Sequence, residues 1–146
     1  MLLIGLKNTV SQTLLTNELI NIGIVDRKYC KKICGLTTFS NGSTSLRLNQ
    51  EGIYHVTATL VGTGTVAGDV TVQLNANGTP IAGAFSTETI TTPATEFRTF
   101  VIDTYILVNS SSVLRNESIN AQTLTLTNTG VGATFTTIAL NVDKVV

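Results

Sequence analysis

The chain has 146 residues, room for one domain, and a domain of this length buries roughly 70% of the surface its unfolded chain exposes. Only 12% of the residues are charged and the charges cancel to a net of zero, which argues against nucleic acid or an acidic membrane as partner. Threonine is the commonest residue, so the surface is either that of a Thr-rich β-protein or one largely hidden against a partner.

The first residues, Met1-Leu2-Leu3-Ile4-Gly5-Leu6, are apolar until Lys7 and Asn8. No basic segment precedes them, so they are too short for a secretory signal. Residues 1–10 are expected to form a short apolar N-terminal extension or arm on a single domain covering 1–146. No later stretch approaches the roughly 20 apolar residues of a membrane helix. Residues 14–24 have no clear period.

Next come Arg27-Lys28-Tyr29-Cys30-Lys31-Lys32, where Arg27, Lys28, Lys31 and Lys32 supply four of the nine basic residues. They read either as a solvated loop between early strands or as a docking patch for an acidic partner surface. Cys30 and Cys34 are the two cysteines. Extended chain would hold them about 13 Å apart, beyond disulfide reach, although a turn would bring them closer. Zinc would need two further ligands, and the single histidine is His55; free thiols are expected, with no metal or cofactor.

From residue 53 the dominant period is two. Tyr54, Val56, Ala58 and Leu60 alternate with His55, Thr57 and Thr59, and Val70, Val72, Leu74 and Ala76 alternate with Thr71, Gln73 and Asn75. Each run predicts a half-buried antiparallel strand. Asn41-Gly42 and Asn77-Gly78 predict tight hairpin turns. Gly62, Gly64 and Gly68 are expected to loosen the connection between these strands, and Pro80 and Pro93 stand beside turn-like sequence.

Residues 97–108 depart from simple alternation. Phe100, Ile102, Ile106 and Val108 fill one face, while Phe97, Val101, Tyr105 and Leu107 share the other with Asp103. A strand apolar on both faces is covered on both. In a two-layer sandwich the second cover must come from outside, and another copy of the chain is the simplest source. The predicted interface is therefore Phe97, Val101, Asp103, Tyr105 and Leu107. Asp103 needs a partner there, with Arg98 and Arg115 as candidates, or it contributes to a polar ring that could hold a cation. Leu124 and Leu126 then alternate with threonines, Gly130 and Gly132 loosen the chain, and Thr136, Ile138, Leu140 and Val142 share a last face. These runs predict eight to ten short strands in an all-β sandwich or barrel.

Leu48-Asn49-Gln50-Glu51-Gly52-Ile53-Tyr54-His55-Val56-Thr57 resembles the Gly-x-Tyr strand of the tumour-necrosis-factor (TNF) and complement-type globular heads. Leu14-Leu15-Thr16-Asn17 is similar to the first strand of the complement type. The segment from Val72 to Ala84, with its Asn-Gly, Pro and Gly-Ala, is similar to heads of spore-surface collagen-like glycoproteins and to small virion proteins of phages infecting Gram-positive bacteria. The closing strands, Leu124 to Thr129 and Gly132 to Val142, follow the same pattern. The resemblance implies a two-sheet antiparallel jelly roll of about ten strands that forms a homotrimer about a three-fold axis. It also implies that the first and last strands lie together near the trimer base.

No Gly-X-Y stalk precedes the head, which favours a virion protein over a spore filament. The expected function is a non-enzymatic structural protein of a bacteriophage, a homotrimeric capsid decoration or head-fibre module. It would be made in the host cytoplasm and partnered by itself and by capsid or other virion proteins. The alternative is a receptor- or glycan-binding tip, carried by loops far from the termini; few aromatic residues fall outside predicted strands to stack on sugars. His55 lies on a polar strand face without an evident acid partner, and no Gly-x-Ser-x-Gly occurs. The four Asn-x-Ser/Thr sequons, at Asn41, Asn77, Asn109 and Asn116, are expected by chance in so Asn- and Thr-rich a chain.

Overall fold

The computed structural model describes residues 2–29, 37–113, 116–119 and 121–146. Cys30, Lys31, Lys32, Cys34 and Arg115 lie outside the described residues. The first strands are β1 (Leu2–Asn8), β2 (Gln12–Leu14), β3 (Glu18–Leu19), β4 (Ile24–Lys28) and β5 (Thr37–Thr38). There follow β6 (Ser45–Leu48), β7 (Gly52–Gly64), β8 (Gly68–Ala76), β9 (Thr79–Ile90) and β10 (Arg98–Val108). The last are β11 (Ser110–Val113), β12 (Asn116–Ile119), β13 (Gln122–Asn128) and β14 (Ala133–Lys144).

Two six-stranded antiparallel sheets result, with β11 and β12 a separate hairpin. One sheet has the order β10-β7-β14-β1-β4, with β2 also on β14; the other is β5-β6-β13-β8-β9, with β3 also on β13. The strands outnumber the eight to ten expected because β2, β3 and β5 are only two or three residues long, too short to show a period, and because β11 and β12 add a hairpin outside the two sheets. Residues 14–24 form no helix. They pass from one sheet to the other, turning at Asn17 in the left-handed region (φ 69), and bury Ile20 and Ile22 between the layers.

Between the sheets lies an apolar core. Ile4, Leu6, Tyr54, Val56, Leu60, Phe100, Ile102, Ile138, Leu140 and Val142 enter it from the first sheet, and Leu46, Leu48, Val70, Val72, Leu74, Leu124 and Leu126 from the second. Each such side chain stabilises the fold by about 1.5–3 kcal/mol on burial. The expected N-terminal arm is corrected by this arrangement: residues 2–8 are a strand inside the sheet, between β14 and β4. Ile4 and Leu6 sit opposite Val142 and Leu140, so the apolar start of the chain is core.

The Asn77-Gly78 turn is as read from the sequence. Asn77 and Gly78 have φ of 51° and 78°, the positive pair of a two-residue turn, and Ala76 pairs with Thr79 across it. The expectation for Asn41-Gly42 is corrected. Only Gly42 has positive φ (84°), and the turn, closed by Ser43 N–H donating to Ser40 O at 3.0 Å, sits inside the longer 39–44 link between β5 and β6.

Gly62 and Gly64 are corrected as well, because both lie within β7 and not in a loop. A Cβ on Gly62 would stand 2.7 Å from Phe135 Cδ1 and 2.8 Å from the Thr134 carbonyl. Phe135 fills that space and meets Phe100 edge-on, ring centres 5.9 Å apart. Just beyond, a register shift between Phe135 and Thr137 inserts an extra residue and reverses the parity of β14. Ala133 and Phe135 point inward before it, Ile138, Leu140 and Val142 after it, so Thr136 does not share their buried face as expected. Gly62→Val should lower stability by about 2–3 kcal/mol through overpacking against Phe135, read as a shift of the urea unfolding midpoint at unchanged slope.

Candidate functional site

Side chains that point away from the core on the first sheet form an ordered array. On edge strand β10 these are Val101, Asp103, Tyr105 and Leu107; Val101, Tyr105 and Leu107 are 54%, 62% and 56% exposed. Phe97, just before the strand, is also exposed. β7 sets Thr59, Thr57, His55 and Ile53 directly opposite them. On its other side β14 places Ala139, Asn141 and Asp143 opposite Thr59, Thr57 and His55. Gly5 of β1 follows opposite Asn141, and Asn141 Oδ1 occupies space only 2.9 Å from where a Cβ on Gly5 would stand. The face thus carries projecting apolar groups on β10 and a low strip of Thr, Ala, Asn and Gly on β7, β14 and β1, bounded on β1 by Lys7 opposite Ala139. Leu107 and Ile53 extend the apolar end toward the exposed Val145 and Val146, since Val145 N–H donates to Ile53 O at 2.8 Å.

One polar pair is embedded in this face. His55 Nε2 lies 2.5 Å from Asp103 Oδ1, and the Tyr105 ring stacks on His55 with centres 4.9 Å apart at 27°. His55 therefore has an acid partner that its polar strand face did not reveal, and Asp103 meets His55 and not Arg98; Arg115, the other candidate for Asp103, lies outside the described residues. Arg98 is taken by Glu96, with Nη2 2.9 Å from Oε1. The signal that could have joined His55 to Asp103 is their shared outward parity on two neighbouring strands, but it requires the register.

Basic groups occupy the opposite edge of the same sheet. Arg27 and Lys28 lie on β4 and are exposed, so they belong to a strand and not to the loop that was one of their readings. Lys7 on β1 pairs with Asp26 at 2.8 Å, and this hydrogen bond holds the Asp26 carboxyl below the usual carboxylate range. Hydrogen bonding from Thr91, and then from Arg98, does the same for Glu96. Among the described residues no three His, Cys, Asp or Glu side chains are grouped as metal ligands.

A cavity of about 290 Å³ lies at the other end of β1, away from Leu2 and Val146, and was not foreseen from the sequence. Asn8, Val10, Ser11, Gln12, Asn21 and Ile24 line it, all uncharged. Its amides knit the loops together: Asn8 Nδ2 and Gln12 Nε2 both donate to Asn21 O, and Asn21 Nδ2 donates to Gly42 O, at 2.9–3.0 Å.

No protein-family model matches the chain, and no curated protein matches it. Solved structures do. The Eiger TNF of S. frugiperda superposes with a TM-score of 0.63 at 9% identity, covering 100% of this chain and 94% of its own. Murine APRIL gives 0.59 at 9% identity, with coverages of 97% and 98%. PRD1 vertex protein P5 gives 0.55 at 16% identity, with coverages of 98% and 96%. These likenesses run the length of the chain and concern the fold: two antiparallel sheets in the TNF-like jelly-roll arrangement, as the sequence resemblance implied.

Proposed function

We propose that this chain is a non-enzymatic structural protein of a bacteriophage virion, a homotrimeric capsid decoration or head-fibre module. The observation that carries the reading is the outer face of the first sheet, where Val101, Tyr105 and Leu107 stand exposed beside a strip of small side chains. Water is a poor solvent for such a row, and a second copy of the chain fits it. The projecting Val101, Tyr105 and Leu107 of one copy's β10 are complementary in shape to the low strip on β7, β14 and β1 of another copy. Repeating one such heterologous contact closes a ring when the rotation allows it. The virion assignment is supported by the fold likeness to a protein named for its vertex position. Arg27 and Lys28, with Lys31 and Lys32, would dock an acidic capsid surface, and the protein would be found on particles assembled in the host cytoplasm.

Light scattering on the purified protein should return about three times the 15.5 kDa chain mass. Mass spectrometry of gradient-purified phage particles should detect the chain. A monodisperse monomer at micromolar concentration would remove the trimer, and absence from purified particles would remove the virion role. Arg27→Glu together with Lys28→Glu should release the protein from particles at low salt, where surface charge pairing is strongest; unchanged attachment would exclude the patch from docking.

A second reading, a receptor- or glycan-binding tip, is favoured by one observation. The uncharged cavity lies at the end of β1 away from Leu2 and Val146, bordered by Asn8, Gln12 and Asn21, on a part of the head that docking through the termini would leave free. Glycan-array binding lost on Gln12→Ala would support that role.

A further inference from the structure

His55 is the single histidine of the chain, and histidine changes charge between pH 5 and 8. It sits in the middle of the outer face, between acidic groups on both neighbouring strands. Asp103 and Tyr105 face it from β10, and Asp143 stands opposite it on β14. On β7 its outward neighbours Ile53 and Thr57 are uncharged, and Lys144 is aligned with the inward-pointing Tyr54. The Asp103 side chain is 61% exposed and that of His55 28% exposed. Covering the face therefore strips water chiefly from a carboxylate, which is costly unless a positive charge is held against it.

From this placement we infer that self-assembly through the outer face takes up protons at His55, so that the trimer is strengthened by mild acid and loosened as pH rises. The inference rests on the assembly reading above and adds its regulation. The charge balance gives the sign. With neutral His55, a covered face holds Asp103 and Asp143 as two negative charges without compensation from their own copy. With protonated His55 the Asp103 pair is neutral overall, and both ring nitrogens are donors. The assembled state thus binds more protons than free chains, and linkage then favours assembly as pH falls. Tyr105, stacked on the ring, keeps it beside Asp103 in either state.

The experiment is the concentration midpoint of assembly, measured by analytical ultracentrifugation between pH 7.5 and pH 6.0 on the wild-type chain and on His55→Gln. Glutamine can still donate to Asp103 but does not titrate in this range. The wild-type midpoint should fall at least about fivefold over that interval, and that of His55→Gln should stay constant within about twofold. A wild-type midpoint that does not move with pH overturns the inference while leaving the trimer intact. So does an equal slope in His55→Gln, because another group would then carry the protons. Monomer at every pH overturns the assembly reading and this inference together. Far-ultraviolet circular dichroism on both proteins at both pH values separates these outcomes from loss of the fold.

Discussion

Tyr105→Glu should weaken self-assembly by about a hundredfold or more while leaving the isolated head as stable as wild type to within about 0.5 kcal/mol. The asymmetry follows from where the side chain stands. In the free chain Tyr105 is 62% exposed, and a glutamate there remains in water. Once another copy covers the face, the same carboxylate loses its hydration one alternate residue away from Asp103. Desolvation and like-charge repulsion then add to the lost aromatic area. Tyr105→Phe keeps the ring, its stack on His55 and nearly all the apolar area, so its assembly should stay within about threefold of wild type, since in the proposed interface the ring would supply the contact area. The two variants, compared by light scattering and thermal melts, separate an interface from a merely exposed residue. Wild-type assembly in Tyr105→Glu would exclude β10 from the contact.

Tyr54 should show the reverse pattern. Its ring is fully buried, and its hydroxyl donates to Gln50 O at 2.7 Å, tying the start of β7 to the link that precedes it. Tyr54→Ala should cost about 3–5 kcal/mol, a large part of the roughly 5–15 kcal/mol available to a whole domain. Tyr54→Phe should cost about 1 kcal/mol, the net worth of one hydrogen bond.

A pH signature accompanies it. Burial holds the Tyr54 phenol above its ordinary value of 10.0, so the folded state retains this proton after the unfolded chain has released it. The stabilisation is complete below about pH 10 and is lost as pH rises through the folded-state value. Alkaline melts should fall more steeply for wild type than for Tyr54→Phe. Equal slopes would show that Tyr54 is not the group responsible.

Much of the sandwich was legible because strand periodicity is a covalent property. Successive side chains point to opposite faces whatever the strand packs against, so Tyr54 to Leu60 and Val70 to Leu74 announced their buried faces directly. The Asn77-Gly78 turn was legible for a similar local reason, since few residues tolerate its two positive φ angles. The second apolar face of 97–108 could also be read, and the structure places Val101, Tyr105 and Leu107 outward on an edge strand. Gly62 and Thr136 were misread because their roles depend on Phe135, which reaches Gly62 only across the β7–β14 pairing.

The sequence by itself determined the fold class, the main core strands and the two-faced character of residues 97–108, all of which follow from alternation and turn chemistry along a few consecutive residues. Only the tertiary structure decided that residues 2–8 lie inside a sheet, that β14 reverses parity at a bulge, and that His55 meets Asp103 and Tyr105. Each of these depends on strand register between segments far apart in the chain, 48 residues in the case of His55 and Asp103. A one-residue slip in register would turn the same side chains to opposite faces. The outer face was foreshadowed by its residues, but its polar His55–Asp103 pair and its strip of small side chains exist only once β10, β7, β14 and β1 are aligned.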